Sequence, residues 1–295
     1  MALTDELNSL VGRAGLGRRG FVAGSLAGGF AAAVAPAGDL LAQTLRTDED
    51  GLVAGEVRIT AADGRLMPAY RAQPAGRGAL ATVLVVHEAF GVHEHIRDVC
   101  RRFAKAGWQA IAPELFFRQG DAQAQPSIAA VYENVISRVA DSQVMSDLDA
   151  AAAWAAGNGG QRGRLGITGF CWGGRIVWLY AAHTPALKAG VAWYGRLDSA
   201  ANALTPKHPL DIADKMLAPV LGLYGGKDEG IPTSSVDEMK TRLSFGGPAS
   251  QASDIVIYPD APHAFHADYR PSYRRPAAED AWTRCLAWLT RHGAA

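Results

Sequence analysis

Residues Gly169–Gly174, GFCWGG, sit between two apolar runs, RLGIT (164–168) and RIVWLYAAH (175–183). The first has the short, β-branched character of a buried strand, and the second has helical length. A cysteine bracketed by glycines therefore stands where a strand turns into a helix. So sharp a turn exposes one side chain on a strained corner, provided that the residues two before and two after it are small, and Gly169 and Gly173 meet that need. G-x-C-x-G is thus the nucleophile elbow G-x-S-x-G with sulfur for oxygen. Cys171 also lies near a helix amino terminus, whose partial positive charge favours the reactive thiolate. Alone, the motif fits equally well a close helix–strand contact with a space-filling cysteine, so its companions along the chain must decide.

Outward from the elbow, strand and helix signals alternate. EVRITAADGRLMPAYRAQP (56–74) alternates about Asp63-Gly64 and reads as a β-hairpin. ALATVLVVHE (79–88) is a near-continuous apolar run, as expected for a strand covered on both faces. There follow a helix near 95–106, the strand WQAIAPEL, a helix from about 128 to 156, the strand RLGIT and a helix near 173–183. The strands LKAGVAWY, APVLGLYG and SDIVIYPD and a helix near 277–291 complete the pattern. This alternation predicts a mostly parallel central sheet with helices on both faces, as one α/β domain over residues 55–293. In such a sheet ligands gather at the carboxyl ends of the strands.

Elbow enzymes order their groups nucleophile, acid, histidine along the chain. After APVLGLYG comes GKDEGIP with Asp228, and after SDIVIYPD comes APHAFH with His263. Each alone fits a turn acid or a loop histidine, but together they stand at strand ends in the required order.

At this point the chain resembles the dienelactone hydrolase family, a cysteine-using branch of the α/β-hydrolase fold. The resemblance rests on VVHEAFGVHEHIRDVCRRFAKAGWQAIAPELF, GITGFCWGGR, LYGGKDEGIP and PHAFHADYRPSY, and covers residue 55 to the end. It implies Cys171 as nucleophile, His263 as general base and Asp228 as the group orienting the imidazole. It also implies that Glu88 is the resting-state partner of the thiol, a carboxylate that disfavours thiolate until substrate displaces it or it accepts a proton. The expected reaction is hydrolysis of an ester or lactone through a thioester, with oxyanion donors in the backbone N–H groups of Trp172 and Ala89. Family members hold a substrate carboxylate with arginines, one soon after the catalytic histidine. Here Ala264, Phe265, His266 and Ala267 follow instead, which leaves Arg118, Arg196 and Arg270 as candidate clamps and Phe265 as a candidate pocket residue.

His87, His93 and His95 invite a metal reading, but H-E-x-x-H fails because Gly91 stands four after His87, so no metal or cofactor is expected. A thiol-redox protein or a non-hydrolytic small-molecule-binding protein on the same scaffold are the alternatives; no C-x-x-C supports the first, and the intact elbow, acid and base argue against the second.

With 29 basic and 29 acidic residues, the chain has no basic field for nucleic acid, and a small molecule is the expected partner of a monomer or small homo-oligomer. Three cysteines make no disulfide framework, and Cys100 and Cys285 fall on apolar helical faces as buried filler. Arg18 and Arg19 precede a mild Ala/Gly-rich stretch interrupted by Pro36, the layout of a twin-arginine export signal over 1–37, followed by a polar linker over 38–54. The expectation is an exported, periplasmic protein without a stable membrane anchor once the signal is removed, or a cytoplasmic one if the signal is not functional.

Overall fold

The computed structural model describes residues 44–76 and 78–295, so the segment 1–37 lies outside the described residues. Among the described residues eight strands are formed: β1 (Leu52–Thr60), β2 (Leu66–Pro74), β3 (Leu80–Val86), β4 (Gln109–Pro113), β5 (Gly160–Phe170), β6 (Leu187–Trp193), β7 (Val220–Gly225) and β8 (Asp254–Tyr258). The helices are α1 (Glu94–Lys105), α2 (Ile128–Asn134), α3 (Asp141–Gly157), α4 (Trp172–His183), α5 (Pro209–Ile212), α6 (Thr233–Ser244), α7 (Pro248–Gln251) and α8 (Arg275–Arg291).

The strands make a single sheet in the order β1-β2-β4-β3-β5-β6-β7-β8. β1 and β2 are the antiparallel hairpin expected around Gly64, and β2 also runs antiparallel to β4. From β4 onward every pairing is parallel. β3 and β7 are buried at every position, which explains their nearly continuous apolar sequences, since strands covered on both faces have no polar side to show; Thr82, the polar residue of β3, donates to Gln109 instead. Cover comes from two helical layers: α1 packs on α8 through Phe103 and Trp282, and α3 packs beside α4. The buried apolar residues form one contiguous cluster, in which a side chain such as Leu84 or Ile167 contributes about 1.5–3 kcal/mol.

Two expectations are corrected. The helix expected over 128–156 is broken at Val135–Ala140, where a single 3₁₀ turn separates α2 from α3. Val135, Ile136 and Val139 are buried there; in one straight helix they would lie on the face opposite Val144, Leu148 and Ala151, which are buried too, and the break lets both sets turn inward. The linker over 38–54 also ends too late: β1 begins at Leu52, and the polar run before it is docked on α1. The amide of Thr47 donates to Asp98 (2.6 Å), Arg101 donates to the Thr47 carbonyl (2.9 Å), and Lys105 pairs with Asp48 (2.5 Å). Asp48 and Glu49, which resemble a solvated run in sequence, have cationic partners on the helix, Lys105 and Arg101.

Candidate active site

Cys171 directly follows β5 and caps the amino terminus of α4, with φ 54° and ψ −115°. A left-handed backbone at a residue with a side chain is strained, and the surroundings must hold it in place. They do so from two sides: the Cys171 amide donates to the Trp193 carbonyl of β6 (3.0 Å), and the Cys171 carbonyl accepts from Gly174 (2.9 Å). A Cβ at residue 173 would stand 2.5 Å from the carbonyl oxygen of Val86 and 2.6 Å from that of His87, so only glycine lets α4 begin this close to β3. The thiol is 3% exposed.

Asp228 lies three residues beyond β7 and His263 five beyond β8, so adjacent strands deliver them to the same end of the sheet. Both are buried, and Nδ1 of His263 lies 2.7 Å from Oδ2 of Asp228. The other oxygen, Oδ1, accepts from the amide of Gly230 (2.9 Å), which fixes the carboxylate plane. Because a carboxylate only accepts, the imidazole carries a proton on Nδ1 and presents Nε2 outward from the pair. Burial by itself lowers the His263 pKa; the charges of Asp228 and Cys171, with the hydrogen bond to Asp228, reverse this and raise it to about 10. The structure thus brings Cys171, His263 and Asp228 together.

Glu88 lies two residues beyond β3 and is fully buried. Its Oε2 accepts from the Tyr269 hydroxyl (2.5 Å) and from Nε2 of His93 (3.1 Å). Oε1 has no hydrogen-bond partner among the described residues. Burial pushes the carboxyl up, but His93, Arg270 and His95 outweigh it and hold the group well below the usual carboxylate range. His93 is itself lowered by burial, and a neutral ring protonated on Nε2 is all the contact requires. Burial disfavours the Arg270 cation while Tyr269, Glu88, Cys171 and Tyr194 favour it, so this arginine, 4% exposed, lies within electrostatic reach of the site.

The two expected oxyanion donors stand after the neighbouring strands β5 and β3. Trp172 opens α4 and Ala89 follows Glu88; among the described residues neither amide donates to a backbone carbonyl outside regular secondary structure.

The other candidates separate. Arg118 is committed elsewhere: its guanidinium is bidentate on Asp147 (2.6 and 3.0 Å) and bonded to Asp63 (2.7 Å), which ties the β1–β2 turn to α3. Arg196 donates to the Asp198 carbonyl and lines a surface groove of about 310 Å³ with Leu210, Pro232 and Glu238. Phe265 is fully buried among Trp193, Tyr194 and Tyr258 and supports the site from behind.

Three further residues build the site. Tyr194 follows β6 with φ 38°, sets its ring edge-on to that of His263 at 5.1 Å, and has a buried hydroxyl without a hydrogen-bond partner among the described residues. His93 and Tyr269 hold Glu88. Position at a strand end was a usable signal for Tyr194; His93 and Tyr269 reach the site only through tertiary packing.

Residues 67–293 match the model of the dienelactone hydrolase family. The chain is 56% identical to a provisionally named carboxymethylenebutenolidase of Methylorubrum extorquens, over 100% of this chain and 99% of the relative. It is 33% identical to a "Probable 2-oxo-3-(5-oxofuran-2-ylidene)propanoate lactonase" of Bradyrhizobium sp, over 78% of this chain and 91% of that one. Among solved structures it is similar to a provisionally named dienelactone hydrolase from Klebsiella pneumoniae, with 54% identity and a TM-score of 0.78, covering 81% of this chain and 98% of that chain.

Proposed function

Because the chain belongs to the dienelactone hydrolase family, we propose that it hydrolyses an ester or lactone with Cys171 as nucleophile, His263 as base and Asp228 as the group that orients the base. The observation that carries this reading is the 2.7 Å contact between His263 and Asp228, at the strand ends beside an elbow cysteine.

Transfer of the thiol proton to Nε2 of His263 gives an imidazolium–thiolate pair, the attacking form, which Asp228 and the raised pKa of His263 favour. The thiolate attacks the carbonyl carbon and a tetrahedral oxyanion forms. The amides of Ala89 and Trp172 stabilise it, with no reorganisation at the moment of reaction. Collapse expels the alcohol or enol, which takes its proton from His263, and leaves a thioester on Cys171. Water that gives its proton to His263 then attacks the thioester, and a second tetrahedral collapse frees the carboxylic acid and the thiol.

Glu88 acts in the resting enzyme. Held ionised by His93, Tyr269 and Arg270, it is a poor proton acceptor, so its effect on Cys171 is electrostatic: a fixed negative charge that disfavours thiolate until substrate enters. A substrate bearing its own carboxylate fits the position of Arg270, seven residues after His263. The names of the relatives, a carboxymethylenebutenolidase and a lactonase of an oxofuranylidene acid, favour the same class.

The test is turnover of aryl esters and five-membered unsaturated lactones by the wild type, Cys171→Ala and His263→Ala, with mass spectrometry of the acylated protein. Loss of hydrolysis in both variants and an adduct on Cys171 support the reading; turnover that survives in Cys171→Ala overturns it. Peroxide consumption or ligand binding without hydrolysis would point to the redox or binding alternatives. For residues 1–37 we propose a twin-arginine export signal, tested by fractionating cells that express the wild type and an Arg18→Lys/Arg19→Lys variant; retention of only the variant in the cytoplasm supports it.

A further inference from the structure

The run VHEAFGVHEH contains a histidine that the reaction above leaves unused. His87 is fully buried, and both ring nitrogens are engaged. Nδ1 lies 2.7 Å from the carbonyl oxygen of Glu88; a carbonyl only accepts, so Nδ1 carries the proton. Nε2 accepts from the amide of Leu115 (3.1 Å), which requires a lone pair there. Glu114 Oε1 stands farther away, 3.5 Å from the same nitrogen. The ring is therefore fixed in one tautomer and one orientation.

The carbonyl that His87 grips belongs to the peptide unit joining Glu88 to Ala89. In a planar trans peptide the C=O and N–H point in opposite directions, so the bond that fixes the Glu88 carbonyl also aims the Ala89 amide. The other donor to that carbonyl, the amide of Gly91, is at 3.4 Å, a much weaker hold. The face of the His87 ring stacks on the Trp172 indole, with centroids 5.4 Å apart and planes 12° apart, while Phe116 closes on it at 4.6 Å. One imidazole thus holds the peptide unit that carries the Ala89 amide and stacks on the side chain of Trp172, the two expected oxyanion donors.

We propose that His87 is the positioning residue of the oxyanion site, setting the 88–89 peptide plane through its Nδ1–H and the place of Trp172 through its ring face. The inference rests on the hydrolytic reading above. His87 touches neither substrate nor sulfur; it acts through Ala89 and Trp172.

The experiment compares His87→Leu, which removes the donor, with His87→Asn, whose side-chain amide returns an N–H near the Nδ1 position, and His87→Gln, whose amide reaches the Nε2 position instead. Removing one oxyanion donor outright costs about 10²–10³ in rate, so misaiming one should lower kcat on the order of 10- to 100-fold. That loss is expected in His87→Leu and His87→Gln with KM within about twofold of wild type, and His87→Asn should recover most of it. A trifluoromethyl ketone, which adds the thiolate to form an oxyanion, should lose affinity in parallel with kcat, while an uncleaved amide analogue should bind as before. Wild-type kcat in His87→Leu, or equal losses for the ketone and the amide, overturns the proposal. If His87→Leu fails to fold, the contrast between His87→Asn and His87→Gln decides alone. An inactive Cys171→Ala beside a fully active His87→Leu defeats only this inference, whereas an active Cys171→Ala defeats the hydrolytic reading beneath it.

Discussion

Nδ1 of His263 and Oδ2 of Asp228 meet at 2.7 Å with both side chains withdrawn from solvent, although 35 residues separate them in sequence. The contact fixes which imidazole nitrogen faces the sulfur, so Asp228→Asn should leave the fold in place while favouring the wrong tautomer. We expect kcat on an aryl ester to fall on the order of 10³-fold or more, measured at saturating substrate.

The same contact sets a pH dependence. His263 is raised from about 6.5 in the unfolded chain to about 10 in the fold. Its stabilising effect is therefore complete below about pH 6.5 and drains away as the pH rises through 10. Urea midpoints between pH 6 and 10 should decline in the wild type and decline less in Asp228→Asn.

At the acid end Asp268 acts in the opposite direction. It accepts from Arg102 (2.5 Å) and lies 3.3 Å from Nδ1 of His95; burial opposes ionisation, but these partners lower its pKa from 3.8 to about 2. A depressed carboxylate stabilises above the unfolded value and stops doing so as the pH falls through the folded one, so about 2 kcal/mol should disappear between pH 4 and 2. Asp268→Asn should flatten that limb of the stability curve, which would tie the loop after His263 to α1.

Gly173→Ala tests the elbow. The new methyl would collide with two backbone carbonyls that have no free space to retreat into, so a loss of about 3 kcal/mol in stability is expected from denaturant midpoints, with an unchanged slope. An alanine variant as stable as the wild type would refute the close approach of α4 to β3.

Arg118→Ala separates scaffold from chemistry. The substitution strands Asp147, 1% exposed at its side chain, without its cation, and should cost about 3 kcal/mol while kcat and KM for a neutral ester stay at wild-type values. A rise in KM confined to carboxylate-bearing substrates would return Arg118 to the binding site.

Much of the molecule was legible because local rules agreed with one another. Gly169 and Gly173 flank Cys171 for a steric reason that is written in the sequence, and β3 reads as doubly covered because no polar residue interrupts its centre. Asp228 and His263 were visible through their place after strands. Cys100 and Cys285 are buried as their helical faces predicted, and burial pushes both thiols up. What stayed hidden depends on partners distant in the chain. Arg118 looked free until Asp147 and Asp63 were placed beside it, and the break between α2 and α3 answers to the core that Val135 and Val139 enter. Tyr269 lies 181 residues from Glu88, and no periodicity links the two.

The order in which the strands carry the reacting groups has a consequence for synthesis. Thiol, carboxylate and imidazole arrive at positions 171, 228 and 263, just after β5, β7 and β8, so the proposed base is translated last. On the proposed mechanism, a nascent chain halted before β8 has its elbow cysteine but not the base at position 263, so hydrolysis would begin only once the final strand joins the edge of the sheet.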